Sequence, residues 1–121
     1  MIGVLFENSN YDLVLRMIKS GKIDLAAQLF DQLKLSNPIY RMHINARISM
    51  ASSNYYRARD LLTEMSEQFS AGNVGVSMQY VVYSDLEKCC RSVSDFEGAY
   101  NCSIAKHNLS DKFNLKSLDE S

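Results

Sequence analysis

Proline occurs once and glycine five times in 121 residues. That scarcity excludes a turn-dense β architecture and favours long uninterrupted helices. No apolar run approaches the roughly 18–20 residues that crossing a bilayer requires; the longest are 1–6 and 81–83 with their neighbours. Neither sign of charge dominates, with 13 Lys and Arg against 14 Asp and Glu, so the basic excess of a nucleic-acid binder is missing. Cysteine is also sparse. Cys89, Cys90 and Cys102 are odd in number, two of them are adjacent, and no Cys-x-x-Cys pair exists to hold zinc. They read as small buried apolar side chains in a reducing compartment. No basic segment leads into the apolar N-terminal stretch and no small-residue cleavage site follows it, so the expected location is the cytoplasm, without a secretory signal.

Chemical motifs are equally thin. His43 and His107 are the only histidines and fall on different expected helices, whereas a metal needs three or four convergent ligands. No serine or cysteine sits in a recognisable nucleophile elbow, and no glycine-rich loop follows a strand to cradle phosphate. Asn101-Cys102-Ser103 and Asn108-Leu109-Ser110 fit the glycosylation pattern by chance. Arg57-Ala58-Arg59 reads as a solvated helix face. The expectation is a protein with no catalytic residues, no metal and no cofactor.

A repeat is present instead. Gly21-Lys22-Ile23-Asp24-Leu25-Ala26, Ser53-Asn54-Tyr55-Tyr56-Arg57-Ala58 and Ser94-Asp95-Phe96-Glu97-Gly98-Ala99 share one pattern: small, polar, bulky apolar, two variable residues, alanine. The alanines are 32 and 41 residues apart, the length of a two-helix unit. The small residue and its polar successor end one helix and start the next. The bulky residue is expected to plug the corner, and the alanine lets the second helix lie close against the first.

Six helices follow from apolar periodicity and these stops. The first covers 10–20, with Leu13, Val14, Met17 and Ile18 as its stripe. The second covers 23–33, and the third starts at Pro38 behind Ser36-Asn37 and runs to Ala51. A fourth covers 55–69, burying Tyr55, Ala58, Leu61, Leu62, Met65 and Phe69. The stretch 74–83 is rich in β-branched and aromatic residues, but a strand needs a partner and no second β-like stretch exists, so a helix is expected over 76–91. The sixth covers 95–107, with Phe96, Ala99, Tyr100, Cys102, Ser103 and Ile104 inward or at its edge. A short cap over 108–113 would set Leu109 and Phe113 on the last pair. One helical-repeat domain over 1–113 and a polar tail over 114–121 are therefore expected.

These segments resemble tetratricopeptide repeats over roughly residues 8 to 107. Leu13, Gly21, Ala26, Phe30 and Pro38 carry the likeness in the first unit. Ala46, Tyr55, Ala58 and Leu62 carry it in the second, and Leu86, Phe96 and Ala99 in the third. The third unit departs from the pattern with Glu87 in place of a small residue and Ser103 in place of an aromatic one. The resemblance implies an all-α fold of three tandem helix-turn-helix units forming a short right-handed solenoid. In size and layout, including the Leu33-Lys34-Leu35 run and the near-absence of linkers, the chain is similar to the small chaperones that hold needle subunits of bacterial type III secretion systems before export. That implies a cytosolic role in protein transport and virulence.

In such repeats the first helices line a concave, peptide-binding face. The register places Tyr11, Leu15 and Ile18 there from the first helix, Tyr40, His43, Arg47 and Met50 from the third, and Val81, Ser84, Lys88 and Arg91 from the fifth. Apolar at one end and basic at the other, this face suits an amphipathic helix with an acidic flank. The alternative is that Tyr11, Leu15 and Ile18 only complete the core. The expected partner is a protein with an amphipathic helix, and a co-chaperone or a second copy of the chain is the further partner considered; no nucleic acid and no membrane span is expected. The other functional reading is a permanent assembly or regulatory subunit of a larger complex.

Overall fold

The computed structural model describes residues 2–72 and 74–113, with side chains from residue 8 to residue 112. The described chain is all-α, with α1 (Ile2–Lys19), α2 (Ile23–Leu33), α3 (Pro38–Ala51), α4 (Tyr55–Glu67), α5 (Val76–Ser92) and α6 (Phe96–Phe113). One 3-10 turn, Phe69–Ala71, follows α4, and no strand occurs among the described residues. The boundaries of α2 and α3 are those read from the sequence. Helix α1 starts earlier than expected, and Asn8 within it accepts a hydrogen bond from the Tyr40 hydroxyl. The expected cap over 108–113 is the uninterrupted end of α6, where Ser110 is buried. The tail over 114–121 and the side chain of Phe113 lie outside the described residues.

The ambiguous stretch is helical from Val76, and its burial follows a helical period: Val82, Leu86, Cys89 and Cys90 are all buried. Branched residues are only mildly unfavourable in helices, and packing of one face outweighs that preference.

The three elbows share one hydrogen-bond pattern. Gly21, Ser53 and Ser94 all adopt left-handed backbone, with φ of 83°, 63° and 63°. Each donates its N–H three residues back, to Ile18, Met50 and Arg91. The residue after each donates five residues back, Lys22 to Met17, Asn54 to Ser49 and Asp95 to Cys90. These paired bonds satisfy the last carbonyls of the preceding helix. The same polar residue then starts the next helix: Asn54 Oδ1 accepts from the Arg57 amide and Asp95 Oδ1 from the Gly98 amide. Lys22 provides no side-chain cap. Ala26, Ala58 and Ala99 are buried, as the pattern requires.

The bulky third position behaves less uniformly. Ile23 and Tyr55 are half-buried, but Phe96 is 67% exposed and plugs nothing. Tyr100, Ser103 and Ile104, expected inward or at the edge of the last helix, are likewise exposed. The reason lies on the opposite face of α6, where narrow residues (Gly98, Ala99 and Cys102) let the helix approach α5 closely. A Cβ added to Gly98 would come within 2.9 Å of Cys90 Sγ. With that side of α6 turned inward, the large side chains point out.

The chain forms two compact units, Met1–Leu61 and Leu62–Ser121, with α4 passing from one to the other. In the first, α1 packs on α2 and α3, and Val14, Ala26, Ile44 and Ala46 are fully buried. The connection from α2 to α3 is pinned by Arg41, whose guanidinium donates to the carbonyls of Leu35 and Ser36. Asn37 caps α3 by accepting from the amides of Ile39 and Tyr40, and Pro38 takes the first helical position. In the second unit α5 and α6 form the principal pairing, and the Phe69 ring meets Tyr83 edge-on at 5.4 Å.

Candidate functional site

Of the eleven residues projected onto a binding face, seven stand in the first unit. There α1 and α3 are joined by side chains 32 residues apart: Tyr11 is hydrogen-bonded to His43 Nδ1, and the Tyr40 hydroxyl donates to Asn8. Tyr11 also stacks on Tyr40, with ring centroids 4.3 Å apart and an 18° interplanar angle. The separation equals that between Ala26 and Ala58.

This seam consumes part of the projected face. Tyr11, Ile18 and His43 are 7%, 7% and 1% exposed, which leaves them little surface to offer a ligand. A buried imidazole needs a hydrogen-bond partner, and Tyr11 supplies one. Leu15, Tyr40, Arg47 and Met50 are half-buried and keep accessible surface beside the seam.

The four residues of the second unit lie along α5. Val81, Lys88 and Arg91 are exposed, and Ser84 is half-buried with its hydroxyl donating to the Tyr80 carbonyl. Arg91 is 3.0 Å from Glu87, whose other oxygen is 3.3 Å from Lys106 on α6. Burial raises the Glu87 carboxyl, but the hydrogen bonds and charges of Arg91 and Lys106 outweigh it and hold the group below the ordinary carboxylate range. Glu87, the departure from the repeat pattern, thus ties α5 to α6. Lys106 also lies 5.4 Å from the centre of the Tyr80 ring, within cation–π range.

Between α5 and α6 lies a groove of about 310 Å³, lined by Val76, Gln79, Tyr83, Ala105, Asn108, Leu109 and Lys112. It is mixed in character, with no cluster of titratable groups. Cys89, Cys90 and Cys102 form no disulfide and are buried, as their sparse placement suggested. Burial, with Cys90 close by, pushes the Cys102 thiol up to about 12, so it stays protonated and unreactive near neutrality.

Two exposed apolar features fall outside the face projected from the sequence. Leu25 and Tyr56 are 54% and 62% exposed in the first unit. In the second, Phe96, Tyr100 and Ile104 form a row at four-residue intervals on the outer side of α6. The available signal was the run of narrow residues on the other side of that helix, which marks the close-packed face.

Among the described residues no three His, Cys, Asp or Glu side chains are placed to hold a metal ion, and no helix is long and apolar enough to cross a membrane. No family model, no curated protein and no solved structure matches the chain.

Proposed function

We propose that this chain is a non-enzymatic protein-binding module made of tetratricopeptide-like helix pairs in a short right-handed solenoid. Its sharpest form is a small cytosolic chaperone that holds an amphipathic helical partner, in the manner of the type III secretion needle-subunit chaperones it resembles. The observation that carries this reading is the pairing of Asn8 with Tyr40 and Tyr11 with His43. Each pair sits one 32-residue repeat apart, as first helices do when consecutive units stack. The recurrence of one elbow geometry at Gly21, Ser53 and Ser94 supports it.

The binding residues are those that keep accessible surface: Leu15, Tyr40, Arg47 and Met50 from the first unit, and Val81, Ser84, Lys88 and Arg91 from the second. Tyr11, Ile18 and His43 hold the helices that present them. In each unit by itself, the apolar side chains would receive the apolar stripe of a guest helix, and the cations its acidic flank. Co-purification with mass spectrometry names the partner, and affinity for that partner then tests the face. Arg47→Glu together with Lys88→Glu should weaken binding at least tenfold with helicity unchanged. Unaltered affinity in that folded variant overturns the reading. A partner that never dissociates points instead to a permanent subunit of a larger assembly.

A further inference from the structure

Glu87 is where the third repeat departs from its pattern, and it flanks the partner-binding stripe of α5 without belonging to it. Val81, Ser84, Lys88 and Arg91 recur at intervals of three and four residues, which sets them along one side of the helix. Glu87 precedes Arg91 by one turn, and its two carboxylate oxygens go to different cations. One lies 3.0 Å from the Arg91 guanidinium, the other 3.3 Å from the Lys106 ammonium on α6. The Glu87 side chain is 15% exposed, so solvent and salt screen this arrangement less than they would at the open surface. Lys88, the next residue, is exposed and makes no ion pair among the described residues. The two cations of the stripe are therefore unequal: Arg91 is held by a neighbouring carboxylate, and Lys88 is held by none.

We propose that Glu87 is a specificity-determining residue of the partner face. It competes for Arg91 from within the chain, leaves Lys88 as the dominant cation, and so fixes where along α5 the acid of a guest helix settles. This rests on the reading of the face given above and deepens it. A guest carboxylate over Lys88 meets a cation whose charge is unopposed. Slid along by three residues, about 4.5 Å, the same carboxylate would lie over Arg91 and beside Glu87. There it must displace one acid from the guanidinium, or share it against like-charge repulsion. That repulsive element selects the alignment as much as the attraction of Lys88 does. Lys106 anchors the competitor, since its contact from α6 keeps Glu87 beside the stripe when a guest arrives. The guest chemistry follows from the spacing. Val81 and Lys88 are seven residues apart, two helical turns, so the favoured partner is a helix carrying an apolar side chain and one carboxylate two turns apart. A second carboxylate one turn beyond the first, facing Arg91, adds little.

The probe is a synthetic helical peptide of about five turns, with leucines along one side and one glutamate two turns from a leucine at the edge of that stripe. A second peptide carries glutamine there. Each is titrated calorimetrically into the full chain near neutral pH and at low salt, where charge effects are largest. Lys88→Gln should weaken binding of the glutamate peptide about tenfold, and Arg91→Gln about twofold at most. In the Glu87→Gln chain that peptide should bind at least threefold tighter than to wild type, and Arg91→Gln should then cost as much as Lys88→Gln. Affinity for the glutamine peptide should not change with Glu87→Gln. Glutamine keeps the length and an acceptor oxygen of Glu87, and far-UV circular dichroism checks that helicity is retained. Comparing Lys88→Gln with Arg91→Gln in the otherwise wild-type chain needs no change at Glu87, so it decides the matter even if that variant misfolds. Equal losses there overturn the inference and leave the partner face standing, as does an affinity that folded Glu87→Gln leaves unaltered. Glutamate and glutamine peptides that bind equally, or not at all, overturn the reading of this face itself, and the inference with it.

Discussion

Cys90 Sγ lies 2.9 Å from the place that a Cβ on Gly98 would occupy, and Asp95 Oδ2 lies 2.5 Å from it. Gly98 is thus the residue that admits α5 to α6, and it does so beside the side chain that caps α6. In an open helix, glycine to alanine stabilises by up to about 1 kcal/mol. Here the added methyl must displace both the cap and the sulfur. Gly98→Ala should therefore destabilise the chain by about 1–2 kcal/mol in urea unfolding. Cys90→Ala in the same chain should recover part of that loss. A more stable Gly98→Ala chain would refute this account.

The elbows predict the opposite sign for glycine elsewhere. Ser53 and Ser94 hold left-handed backbone, which costs a side-chain-bearing residue about 1 kcal/mol. Replacing either by glycine should raise stability by about 0.5–1 kcal/mol, because relieved strain exceeds the added freedom of the unfolded chain. Gly21→Ala should lower stability by about 1 kcal/mol by the same reasoning. Thermal melts of the three single variants check the set.

The α1–α3 seam can be tested at one atom. Tyr11→Phe keeps the ring that stacks on Tyr40 but removes the bond to His43 Nδ1 in a site that is 1% exposed. Leaving a buried polar atom without that bond should cost about 1–3 kcal/mol. Chemical denaturation gives the value. A loss below about 0.5 kcal/mol would show that the stacked rings alone hold the two helices.

Stability should depend on pH at both extremes. Glu87 is held below its ordinary 4.5 in the folded chain, so as pH falls the unfolded chain takes up this proton first. Its contribution is complete above about pH 4.5 and drains away below it. Cys102 is raised from 9.0 to about 12 by burial, so as pH rises the unfolded chain loses its proton first. That contribution is complete below pH 9 and is lost between about 9 and 12; Tyr83, also raised by burial, acts in the same direction. In melting temperatures across pH, Glu87→Gln should flatten the acid limb and Cys102→Ala the alkaline limb.

Much of the helical organisation was legible because its punctuation is local. Asn37-Pro38, Gly21 and the Ser-Asn and Ser-Asp pairs mark helix ends within a few residues, and the ends of α2 and α3 follow directly. Asn8 was harder to place: its fixing partner, Tyr40, is 32 residues away, beyond any local signal. Phe96 misled because a bulky residue after a cap usually turns inward. Gly98, two positions later, reverses that by drawing the other side of α6 onto Cys90. The projected face was legible as a register on each helix, but not its depth. Periodicity places Tyr11, Ile18 and Leu15 together, and only the stacking of Tyr11 on Tyr40 separates the covered residues from the accessible one.

Every reversal of direction at Gly21, Ser53 and Ser94 is closed by bonds that reach no further than five residues along the chain. Such short loops forfeit little entropy on closing, and chains dominated by them reach the native state quickly. The α1–α2 and α5–α6 pairs should therefore be in place within the earliest events after dilution from denaturant. The slow arrival is the aromatic clasp of Tyr11, Tyr40 and His43, which must bring together stretches a whole unit apart. Tyr11→Phe should accordingly accelerate unfolding while leaving the refolding rate almost untouched.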